Sequence, residues 1–215
     1  MKKQVIFTAI SLMLAVTGLN SCKKSNDTKT PDPILKNTTW TGEFNYNGGT
    51  TQPMSIAFLD GGNLTWAEFK GEYSGSWAVT NGILTLSLGG SVSFTADISS
   101  DNTLTNIKST DVGGRKLLNT IPGASDSPVL DGTKWVSPNV SLTFKAGTTL
   151  DLAFGGANAL PTYTNIPYIR KGKAIYFTLS PKYDWFTILS TSTTMKGINM
   201  APNDATVYTF AITKQ

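Results

Sequence analysis

The sequence predicts an all-β protein made of two tandem, small antiparallel meander barrels. Three observations predict it. Short alternating apolar and polar runs are separated by glycine and asparagine, no amphipathic helical pattern runs longer than two turns, and the pattern of apolar residues occurs twice. The repeat carries the most weight, because a missed repeat misassigns every element after it.

The segment ILKNTTWTG, residues 34–42, is echoed by VLDGTKWVS, residues 129–137, which places Trp40 opposite Trp135. MSIAFLDGGNLTW is echoed by VSLTFKAGTTLDL, matching Ile56 with Leu142, Phe58 with Phe144 and Leu64 with Leu150. Tyr73 then matches Tyr163, and the turn Asn81-Gly82 matches Lys171-Gly172. TLTNI answers TTMKGI, and the copies end in RKLLNTI and TVYTFAIT. The expected organisation is a signal peptide over 1–21, a flexible tether over 22–33, a first β-domain over 34–121, a linker (PGASDSP) over 122–128 and a second β-domain over 129–215.

Within each copy the period is two. Met54, Ile56 and Phe58 share a face, as do Val92, Phe94, Ala96 and Ile98; in the second copy Val140, Leu142 and Phe144 do, then Ile175, Phe177 and Leu179. One apolar face at period two means half-buried antiparallel strands. Asp60-Gly61-Gly62-Asn63 and Asn81-Gly82 supply the positive φ angles of tight hairpins. Seven or eight short strands per copy would leave a long exposed edge in an open sheet, and closure into a barrel removes it. The alternative is a single larger barrel or sandwich built from both halves.

The N-terminus reads as an export signal. Lys2 and Lys3 precede the apolar run VIFTAISLMLAV, which is short for a bilayer span. The only cysteine, Cys22, follows in LNSCKK. It has no second cysteine for a disulfide, and no histidine exists in the chain to share a metal or activate a thiol. Leu19 three residues before it and Ser21 beside it point instead to lipid attachment, with the acylated Cys22 anchoring the chain in a membrane. The segment KKSNDTKTPDP that follows has no apolar periodicity and reads as a tether, about 35–40 Å long when extended.

The formal net charge of +4 resides in the signal and tether. From Asn37 onward, 12 basic side chains balance 12 acidic ones, so no basic stripe remains to follow a phosphate backbone and nucleic-acid binding is not expected.

The lipobox-like LNSC, the polar tether, the L-x-x-T-x-W opening of each copy and the meander of hairpins together resemble the lipocalin-like lipoproteins of Bacteroidota envelopes. The resemblance implies an outer-membrane lipid anchor and a barrel that binds a small apolar or amphipathic ligand. It also implies an arginine on the last strand lying over the tryptophan of that opening, a role open only to Arg115 in the first copy. In such lipoproteins surface export goes with acidic residues just after the cysteine. Lys23 and Lys24 stand there instead, which favours the periplasmic face, with the cell surface as the other possibility.

Catalysis is not expected. Glu68 and Glu72 are the nearest clustered carboxylates, flanking a turn at Lys70-Gly71 where charged residues ordinarily face water. No histidine, metal-ligand set or phosphate-cradling loop competes, and neither a cofactor nor a metal is implied. Trp40 and Trp135 are expected to plug each barrel floor as core. Tyr73 with Trp77, and Tyr183 with Trp185, share strand parity. Pointing inward they would line a ligand pocket or simply fill the core. Pointing outward they would form a platform for an envelope protein or glycan, making the protein an interaction or scaffold module.

Overall fold

A computed structural model describes residues 35–99, 103–123, 128–156, 161–179, 183–200 and 206–215. Cys22, the leader and the tether lie outside the described residues. Eight strands form the first half: β1 (Thr38–Tyr46), β2 (Gln52–Phe58), β3 (Asn63–Glu68), β4 (Gly71–Thr80), β5 (Ile83–Leu88), β6 (Ser91–Ile98), β7 (Leu104–Ser109) and β8 (Arg115–Ile121). Eight more form the second: β9 (Lys134–Val136), β10 (Val140–Lys145), β11 (Thr149–Phe154), β12 (Tyr163–Lys171), β13 (Ala174–Leu179), β14 (Tyr183–Leu189), β15 (Thr194–Met200) and β16 (Val207–Lys214).

Each half curls on itself, as the repeated pattern predicts, rather than pooling its strands with the other. In the first half the order β7-β6-β5-β4-β3-β2-β1-β8 is all antiparallel and nearly closed. At the seam between β7 and β8 a side chain replaces the ladder: the Leu117 amide donates to Ser109 Oγ (3.2 Å). The second half closes fully because the three residues of β9 pair with both β10 and β16.

The hairpin chemistry is local. Asn81 (φ 53°) and Gly82 (φ 76°) give the two left-handed residues of a tight β4–β5 turn, which twists as the flanking strands do. A bulge between Leu86 and Ser87 corrects one expectation: Val92 turns outward and Ser93 inward, where its Oγ accepts the Leu88 amide (3.2 Å).

Each barrel has its own core. Trp40, Phe44, Phe58, Trp66 and Phe94 fill the first, packed edge-to-face or stacked at 5.2–5.5 Å. Trp135, Leu142, Phe144, Leu150, Leu152, Met195 and Ile212 fill the second. Trp40 and Trp135 are both buried, and Trp135 Nε1 donates to Thr133 Oγ1 (2.8 Å). Burying each such side chain stabilises the fold by about 1.5–3 kcal/mol.

A third apolar cluster joins the barrels: Ala67 and Phe69 of the first meet Ala174, Tyr176, Phe186, Ile188 and Ile198 of the second. Around it, Tyr176 Oη donates to the Glu68 carbonyl (3.2 Å), and Lys171–Glu72 and Lys196–Glu43 form ion pairs of 2.6 Å. This docking sets the β3–β4 turn of the first barrel against the wall of the second, where the candidate site lies.

Candidate ligand-binding site

The wall of the second barrel parts between β12 and β13. These strands pair from Lys171↔Ala174 to Tyr168↔Phe177 and no farther. The next residue on β12 is Pro167, which has no N–H to offer β13. Upstream, β12 stays with β11 through Thr149↔Pro167 and Leu150↔Ile166, while Thr178 and Leu179 stay with β14. The parting opens a cleft of about 580 Å³. Tyr168, Phe177 and Trp185 form its floor, Pro167 and Thr178 its banks, and Phe69 with Lys70 from the first barrel's β3–β4 turn its far wall.

Trp185 is the central floor residue. It is 3 % exposed, stacks on Phe177 (5.5 Å, 16°) and packs against Phe154 and Phe210. Its Nε1 is buried without a hydrogen-bond partner among the described residues. Directly across the β14–β15 ladder stands Asn199, whose Oδ1 is likewise unpartnered, and Thr187 Oγ1 and Arg170 Nη2 continue this set along the second barrel. Burial also lowers the proton affinity of the Arg170 guanidinium. Buried donors and acceptors are ordinarily satisfied, because each unmet group costs about 1–3 kcal/mol. Of Trp185 and Asn199, the tryptophan lines the cleft, so a molecule entering beside it with an acceptor for Nε1 and a donor for Asn199 would meet both. The Tyr168 phenol is held protonated, raised first by burial and then by the charge of Asp131.

The other predicted aromatic residues are placed differently. Tyr183 is 47 % exposed at the start of β14, outside the cleft lining. Trp77 is buried in the first core, edge-on to Phe58 (5.4 Å), with Nε1 donating to the Leu59 carbonyl (3.2 Å). Tyr73 is half-buried beneath the Arg115 guanidinium (4.3 Å). Of the four, only Trp185 reaches the cleft.

The first barrel holds a polar cluster where the second has aromatic rings. Glu68, expected at a solvated turn, is fully buried and accepts from Arg115 Nε (2.9 Å), Trp66 Nε1 (2.8 Å) and the Tyr46 hydroxyl. Burial opposes the charge of Arg115, but its hydrogen bonds to Glu68 outweigh that and raise its proton affinity. Burial, and then Glu68, push the Tyr46 phenol far upward, so it stays a donor. Two expectations are corrected here. Glu68 lies inside the barrel instead of facing water, whereas Glu72 is exposed and meets Lys171. Arg115 pairs in register with Tyr46, six residues along β1 from Trp40, and so lies toward the opposite end from that tryptophan. Counting from the Leu64/Leu150 match, Glu68 corresponds to Phe154, which belongs to the Trp185 aromatic group.

Sequence reasoning missed Glu68 as an interior residue, although Leu64, Trp66 and Glu68 alternate on one face of β3. It also missed Pro167, whose place inside a strand-like run is itself the mark of an interrupted ladder.

No protein-family model matches the chain, and no significant match exists among the curated proteins or the solved structures. The geometry stands by itself.

Proposed function

We propose that the protein is a non-catalytic envelope lipoprotein that binds a small amphipathic molecule in its second barrel, through the cleft where β12 and β13 part. The observation that carries this reading is the unmet Trp185 Nε1 of the cleft's aromatic lining, with the unmet Asn199 Oδ1 opposite it in the β14–β15 register. A volume of about 580 Å³ suits a small organic ligand. The rings of Tyr168, Phe177 and Trp185 would take a flat apolar body, whose polar end accepts from Trp185 and donates to Asn199. A hydroxyl or an amide does both.

The anchor belongs to the same proposal. Leu19, Ser21 and Cys22 support acylation at Cys22, and Lys23 and Lys24 favour the periplasmic face of the outer membrane.

Native mass spectrometry of the full chain, extracted gently from the cells that make it, tests the reading. A reproducible extra mass of a few hundred daltons, roughly what such a cleft encloses, should be lost on denaturation and be carried by a smaller fraction of Trp185→Phe. A bare wild-type chain whose tryptophan fluorescence also ignores fatty acids, sterols and aromatic alcohols would sink it.

A further inference from the structure

At the other end of β14 from the cleft lies Lys173, in the turn between β12 and β13. It is only 8 % exposed, at the junction of the two barrels. Its ammonium has no hydrogen bond and no ion pair among the described residues. Glu72, which lines a neighbouring pocket with Lys173, is taken by Lys171 at 2.6 Å. Burial alone lowers the proton affinity of Lys173, with no carboxylate acting on it. The stem is buried while the ammonium nitrogen keeps contact with solvent, so the charge stands at the edge of the junction.

The surroundings show where that charge points. A Cβ placed on Gly123 would collide with Lys173 Nζ, so the ammonium reaches the start of the interbarrel linker. There it borders a crevice of about 340 Å³ lined also by Pro122, Pro128, Leu189, Ser190 and Ser192. Among the described residues the lining contains one cation, apolar carbon and hydroxyls, and no acid. Neither the Ser190 nor the Ser192 hydroxyl has a partner among the described residues.

We infer that this crevice is an oxyanion site, which takes the carboxylate or phosphate head of a small organic acid at Lys173 and rests its apolar part on Pro122, Pro128 and Leu189. A lysine ammonium is a compact point charge with three donors, suited to a single anionic head that the serine hydroxyls can also bond. The site is separate from the aromatic cleft and stands whether or not that cleft binds a ligand.

The test uses the full chain with hexanoate and hexyl phosphate as probes, and acetate and inorganic phosphate as headgroup controls. In wild-type protein, a saturating probe should slow acylation of Lys173 by an amine-reactive reagent about fivefold or more, read by peptide mass spectrometry, and leave exposed Lys171 unaffected. By calorimetry, Lys173→Met should weaken the probe about 30-fold or more, and Lys173→Arg should retain most of the affinity. Preference between the carboxylate and phosphate probes identifies the head. Unchanged labelling of Lys173, or a Lys173→Met protein that binds like wild type, overturns the inference. If Lys173→Met does not fold, the wild-type labelling decides.

Discussion

Arg115 Nε lies 2.9 Å from Glu68 Oε2 inside the first barrel, joining β8 to β3 across 47 residues of chain with both side chains nearly closed to solvent. The pair is not left to itself. Trp66 and Tyr46 donate to the same carboxylate, Asp111 Oδ2 takes Arg115 Nη1 (3.3 Å), and the Tyr73 ring covers the guanidinium. Full hydrogen bonding is the condition under which a buried ion pair is tolerable.

Removing one partner should therefore be severe. Glu68→Gln is expected to destabilise the protein by about 3 kcal/mol, because the buried Arg115 loses its principal counter-charge and keeps only the longer contact to Asp111. The double variant Glu68→Gln, Arg115→Met should recover part of that loss. Urea unfolding of the two single variants and the double variant measures it, and strict additivity would contradict the coupling.

Trp185→Phe removes a donor that bonds to nothing within the described residues. Its expected stability change is under about 1 kcal/mol, since no hydrogen bond is lost and the ring stack with Phe177 persists. Ligand affinity should fall about tenfold, the worth of one buried hydrogen bond. Thermal unfolding and ligand titration read the two effects separately.

Pro167→Val restores an N–H where the β12–β13 ladder stops. The new amide should be protected in hydrogen exchange, and the narrowed cleft should bind its ligand more weakly. An unprotected amide at position 167 would show that something other than the proline parts the strands.

Lys196 and Asn119 hold the Glu43 carboxyl below its ordinary range, and Lys196 belongs to the other barrel. A lowered folded-state value means the contribution is present above the unfolded value of 4.5 and is lost as pH falls below it. The pair is partly exposed, so its contribution is under about 1 kcal/mol. Unfolding midpoints of wild type and Glu43→Gln should differ near pH 7 and converge as Glu43 protonates below pH 4.5.

Gly75→Ala should cost about 1–3 kcal/mol, the usual penalty of overpacking. A Cβ there would collide with the Ser87 carbonyl oxygen of the paired strand and touch Leu88 and Leu64. That neighbour is backbone and cannot step aside. A circular-dichroism melt reads the effect, and an unchanged midpoint would mean the β4–β5 spacing gives way.

The all-β class, the duplication and the strand faces followed from the sequence itself, because alternation at period two and turn chemistry are local properties. Trp40 and Trp135, Ile56 and Leu142, and Phe58 and Phe144 sit at matching buried positions for that reason. The neutral balance of charge beyond Asn37 was likewise legible from composition. Tertiary structure decided what depends on distant segments meeting. It brought Glu68 to Arg115, set Phe69 and Lys70 against the parted wall at Pro167, and left Trp185 and Lys173 with unmet polar groups beside open space. Period and parity show which way a side chain points. Only the closure of each barrel, and the docking of one on the other, determines what it meets there.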